Sequence, residues 1–88
     1  MSYSYQTEKP RLFSEQGIRM YIEMRDAGNA FLEASGAFMA ANVMAKTSGD
    51  TWLMSACLDY RVELGELTEV SPPNCAGQHR IFIATFKG

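Results

Sequence analysis

Few side chains in this sequence could do covalent chemistry, and their spacing does not bring them together. The single histidine, His79, stands between Gln78 and Arg80. One imidazole is not a ligand set, and no Ser/His/Asp or Cys/His arrangement has supporting motif context. Cys57 falls within an apolar helical stripe, where a thiol acts as a small hydrophobe. Cys75 lies in the turn-rich SPPNCAGQ segment, so the two cysteines give neither a metal motif nor a disulfide framework. Glu15, Glu23 and Glu33 fit the solvated face of a helix. With no glycine-rich phosphate loop and no metal-ligand spacing, no catalytic residue, cofactor or metal is expected. Binding chemistry is what remains. Lys46, Ser48 and Thr51 surround Asp50, a helix-start signal, and hydroxyls and the orphan N–H groups of a helix start commonly hold phosphates. Gln78, His79 and Arg80 form a second polar-basic cluster. Trp52 either closes a core corner or, if exposed, offers a large aromatic anchor.

The elements that must position these residues are legible from periodicity and capping. Ser14 is an N-cap and Glu15 suits the positive end of a helix running to about Ala34. Ile18, Tyr21, Ile22, Phe31 and Leu32 follow its spacing. Gly28-Asn29 predicts a kink or break midway, and Gly36 a C-terminal cap. Residues 1–12, polar and aromatic with Pro10 as a stop, read as a flexible N-terminal arm that Tyr3 or Tyr5 could pin to the rest. Residues 13–88 then form the one domain. Ala37-Phe38-Met39 is a brief extended entry to a second helix, Ala40–Lys46, with Val43 and Met44 inward. After the Thr47-Ser48-Gly49 turn, Asp50 caps a third helix. Its inward stripe is Leu53, Met54, Cys57, Leu58, Val62 and Leu64; Trp52, Ser55, Ala56, Asp59 and Glu63 face outward. Gly65 ends it. Leu67–Val70 starts a strand that Pro72-Pro73-Asn74 halts, and Arg80–Phe86 supplies another.

Composition narrows the function classes. A hydrophobic fraction of 47% is too high for a disordered chain. No apolar run approaches the roughly 20 residues that cross a bilayer. The N-terminus lacks an apolar signal core, so a cytoplasmic location and no membrane partner are expected. Net charge is −2. Between residues 37 and 70, Lys46 and Arg61 face Asp50, Asp59, Glu63, Glu66 and Glu69. That balance disfavours nucleic acid, because DNA affinity rests largely on phosphate neutralisation.

The path from Phe38-Met39-Ala40-Ala41 through Val43-Met44-Ala45 to Leu58, Leu64-Gly65 and Leu67 resembles the winged helix-turn-helix family of small bacterial or phage type. The resemblance covers about Ser14 to Phe86. It implies an α+β fold of three helical regions followed by a two-stranded antiparallel wing, with Met44, Leu58 and Phe82 in one core. It also implies a DNA-binding transcriptional regulator that acts as a homodimer on a short operator. Lys46, Ser48, Thr51 and Ser55 would then contact duplex DNA from the turn and third helix, and Gln78 and Arg80 from the wing. Arg61 departs from the family, which usually has a core leucine there. Its stem either runs along the domain edge or reaches a phosphate or partner. The outward helix face also lacks the Asn, Gln, Arg or Lys that read bases in pairs of hydrogen bonds, and Asp59 would repel phosphate. A second reading follows from these departures: a winged helix used as a protein–protein interaction module, an adaptor or inhibitor of a host factor. Trp52, Asp59 and Arg61 would meet that partner, and six methionines suit an adaptable surface.

Overall fold

The computed structural model describes residues 2–85, and they form a small α+β domain. Helix α1 (Tyr5–Glu8) runs into a 3-10 turn (Lys9–Phe13). Helix α2 (Glu15–Ser35), strand β1 (Ala37–Met39) and helix α3 (Ala40–Met44) follow. Helix α4 (Thr51–Glu63), strand β2 (Leu67–Glu69) and strand β3 (Ile81–Ala84) complete the order. No helix among the described residues is long and apolar enough to cross a membrane.

The helix ends are where the capping chemistry puts them. The Ser14 hydroxyl accepts from the Gly17 N–H at 3.1 Å, satisfying one orphan donor of α2. Gly36 and Gly65, both with φ of 79°, turn the chain out of α2 and α4, a left-handed exit that suits glycine. Inside α2, however, Gly28 does not break the helix. It is buried, and a Cβ built there would lie 3.2 Å from the Phe38 ring and 3.5 Å from Arg61 Nη1. The missing side chain therefore admits β1 and α4 to close contact, and the helix runs on through it.

Further expectations are corrected by packing. The sheet has three strands, in the order β1-β3-β2. Ala37–Met39 is more than an entry segment: Phe38 pairs with Phe82 across an antiparallel ladder, so both edges of β3 are hydrogen-bonded. The segment expected as a flexible arm is helical from Tyr5 to Phe13, with Leu12 only 3% exposed in the main core. Arg11 ties it down by pairing with Glu8 and, at 2.9 Å, with Asp50. Arg61 lies buried, and Ala56, placed outward by the sequence pattern, is also fully buried. Position 61 continues the stripe of Met54, Cys57 and Leu58 at helical spacing. The guanidinium there is held by Glu66 at 2.9 Å and Asn29 at 3.1 Å. Leu64, expected inward, is 46% exposed.

Phe82 is fully buried at the middle of β3, its ring stacked on Phe38 at 5.5 Å. Leu58 joins the same core, and Met44 packs against it while partly exposed. Phe86, expected to end the last strand, lies outside the described residues.

Two substitutions test this account. A Cβ at Gly17 would fall 2.0 Å from the Arg11 carbonyl oxygen, so Gly17→Ala must push the 3-10 turn off α2. Chemical denaturation should register a loss of about 1–3 kcal/mol; no loss would mean that residues 5–13 contribute little. At Gly65 nothing lies within 4 Å of an added Cβ, so only backbone strain is at stake. Gly65→Val should cost more than about 1 kcal/mol and Gly65→Asn distinctly less.

Candidate binding groove

Asp50 sets the geometry of the site. Its carboxylate accepts from the Trp52 N–H at 2.8 Å and pairs with Arg11. Burial alone would raise its pKa, but the hydrogen bonds from Arg11 and from the Trp52 backbone outweigh that and hold it below the usual carboxylate range. With α4 capped in this way, Thr51, Trp52 and Ser55 stand in its first turns, facing the end of α3.

The other wall comes from the connection between β2 and β3. Val70 N–H still reaches the Ile81 carbonyl, and Ser71 Oγ accepts from the Ile81 N–H at 2.8 Å. Pro72 and Pro73 then deny further ladder hydrogen bonds, and Asn74 turns the chain with φ of 60°. A 3-10 turn over Gly77–His79 packs back on α3, and the Arg80 carbonyl accepts from the Ala40 N–H at 2.7 Å. This connection thus folds against the body of the domain.

Between these walls lies a groove of about 850 Å³. Thr51, Trp52, Ser55, Gln78 and Arg80 all line it, so the structure brings together five of the residues singled out from sequence. Trp52 is partly buried, which makes it both a corner piece and an accessible ring. Met44, Met54 and Tyr3 complete the apolar part of the wall. The groove roles of Met44 and Met54 were hidden, since both sit in the apolar pattern that marks a core.

The remaining candidates lie elsewhere. Lys46 borders a separate apolar cleft with Phe31 and alanines of α2. Ser48 sits in a shallow depression beside Gln16, Arg19 and Glu23. Arg61, as a buried residue, cannot meet a partner directly. Asp59 faces inward across the fold, where its carboxylate accepts from the Tyr3 hydroxyl and from Arg80, each at 2.6 Å. No group of three or more metal-ligating residues occurs among the described residues.

Arg80 is the charged side chain of the groove lining. Its guanidinium donates to Asp59 at 2.6 Å and to both oxygens of Glu69, at 2.9 and 2.7 Å. It also lies 5.0 Å over the Phe82 ring, an added attraction of cation to π-face. The hydrogen bond to Glu69, more than any other contact, drives the arginine pKa further up despite its burial, and the same bond lowers that of Glu69. Burial and the Asp59 contact raise the Tyr3 hydroxyl, so it stays a donor. A cation engaged by two carboxylates gives little attraction to phosphate. Sequence alone offered no pairing of Asp59 or Glu69 with Arg80, because 21 and 11 residues separate them.

Comparisons with protein-family models, curated proteins and solved structures find no match to this chain.

The Arg80 cluster predicts how stability depends on pH. The depressed pKa of Glu69 means that the unfolded chain binds more protons as the medium is acidified. The stabilisation is complete above the unfolded carboxylate range near pH ~4 and is lost as pH falls through the lower folded value. Urea midpoints should therefore drop on acidification. Arg80→Gln should lower the midpoint at pH 7, and the gap from wild type should narrow towards pH 3. An unchanged gap across that range would remove the charge cluster as the cause.

Proposed function

We propose that this chain is a small winged-helix module whose groove receives an apolar or aromatic side chain of a protein partner. The order of helices, the tight exit at Gly65 and the hairpin after it support the winged-helix reading. The observation that carries the choice of partner is the neutralisation of Arg80 by Asp59 and Glu69. Duplex DNA requires unmatched positive charge along the contact face. Here the groove offers Trp52, Met44, Met54 and Tyr3, with hydroxyls of Thr51 and Ser55 at its rim. Partly exposed tryptophan is a frequent centre of binding energy in protein interfaces, and methionine adapts its shape to what it meets. A DNA regulator remains the competing assignment, with Lys46, exposed at the turn before α4, as its best phosphate contact.

The single tryptophan is a built-in reporter. Partners captured from a host lysate by the wild-type chain would be purified and titrated against Trp52 emission. A blue shift on binding and a loss of about 2 kcal/mol or more for Trp52→Ala are the expected results. In parallel, binding to duplex DNA would be measured at two salt concentrations. Salt-sensitive DNA binding indifferent to Trp52→Ala, with a log–log salt slope smaller by about one in Lys46→Ala, would replace the protein reading by the DNA one.

A further inference from the structure

One end of the groove is already filled by a side chain of this same protein. Tyr3 lines the groove with Ser55, Gln78 and Arg80, and its partly buried ring packs against the core. Its hydroxyl donates to Asp59 Oδ2 at 2.6 Å. Among the described residues, that is the one hydrogen bond made by residues 2 and 3. The helical segment that follows is anchored separately: Tyr5 donates to Glu63, Lys9 pairs with Glu63 at 2.7 Å, and Leu12 is buried in the core. Tyr3 can therefore leave while residues 5–13 stay in place. We propose that Tyr3 fills the groove as an internal ligand, and that the partner displaces it with a tyrosine side chain of its own. The inference rests on the groove being a site for a partner's side chain, and adds which side chain it takes.

The chemistry of that end selects a phenol. Asp59 is fixed by Arg80, whose Nη2 donates to Oδ1 at 2.6 Å, which leaves Oδ2 to accept from the phenol. The Asp59 side chain is only 19% exposed, so losing that donor is costly where water does not replace it. A phenylalanine or leucine of the partner would fill the place of the ring and leave Oδ2 with Arg80 Nη1 alone, 3.5 Å away. A lysine would bring a donor, but would set a second cation beside that guanidinium. A phenol carries a neutral donor at the tip of an apolar body, and its hydrogen bond to an ionised acceptor is of the strong, charge-assisted kind. The same match makes Tyr3 a brake on the groove. An incoming side chain must displace a resident of equal chemistry, so its apparent affinity is reduced by the fraction of the time the place is open.

Titration of the full chain with p-cresol, followed by amide shifts in two-dimensional NMR, tests the proposal without a partner. Anisole has a similar ring and no donor, and n-butylamine a cationic donor and no ring. Tyr3→Ala empties the place, and Tyr3→Phe keeps the ring without the hydroxyl. In Tyr3→Ala, p-cresol should move the amides of Ser55, Asp59 and Arg80. It should bind there roughly tenfold or more tighter than anisole or n-butylamine, the share of one charge-assisted hydrogen bond. The wild type should bind p-cresol at least about tenfold more weakly than Tyr3→Ala, because the resident side chain competes. Tyr3→Phe should fall between the two, and being nearly isosteric it keeps the test decisive if Tyr3→Ala fails to fold. Anisole or n-butylamine binding as tightly as p-cresol overturns the choice of tyrosine. Wild type binding p-cresol as tightly as the variants, or shifts confined to residues outside the groove, overturns the internal-ligand role. Failure here would leave the groove a site for a different side chain, whereas salt-sensitive DNA binding would remove the protein partner altogether.

Discussion

The Arg80 guanidinium holds together parts of the chain that have no local reason to meet. It stands at the entry to β3 and pairs with Asp59 of α4 and Glu69 of β2. Through Asp59 it also reaches Tyr3 at the N-terminal end. Its side chain is 17% exposed, and a charge so far removed from water is tolerated only with full pairing. Both carboxylates and the Phe82 face supply that pairing. The result is a wall of the groove that is fixed in shape and electrically quiet. Had Arg80 been free, the same wall would attract phosphate.

A comparable constraint operates on the other side of the domain. Gly28 lets the Phe38 ring and the Arg61 guanidinium approach α2, so the longest helix, the first strand and α4 meet at one point. Arg61 places a second paired cation inside the fold, with Nη1 lacking a hydrogen-bond partner among the described residues. Both arginines therefore contribute to architecture. Neither guanidinium is left without a carboxylate.

The two accessible apolar surfaces differ in kind. The groove is concave, with methionines and Trp52 beside hydroxyls, a combination suited to receiving a protruding side chain. The second is convex and apolar, with Phe13, Ile18, Ile22 and Leu64 exposed around the Tyr60 ring that packs on Phe13 and Tyr21.

Local chemistry in the sequence determined much of this protein. The caps at Ser14 and Asp50, the exits at Gly36 and Gly65, the strand character of residues 81–84 and the inward stripe at Leu53, Met54, Cys57 and Leu58 all follow from spacing and side-chain type. Thr51, Trp52 and Ser55 share a helix start and Gln78 and Arg80 share one hairpin, so each group was local in sequence, whereas Lys46 and Ser48, named with them, border separate depressions. Only the tertiary structure decided what depends on contacts distant in sequence. Ala37–Met39 becomes a strand because β3 offers it an unpaired edge, and residues 5–13 become helical packing because Leu12 finds the core. Gly28 reads as a breaker until Phe38 arrives beside it. Arg61 and Arg80 read as surface charges until Glu66, Asn29, Asp59 and Glu69 are brought to them. The physical reason is common to all of these. Propensity and capping act over a few residues, whereas burial and charge pairing are set by neighbours that only the folded chain supplies.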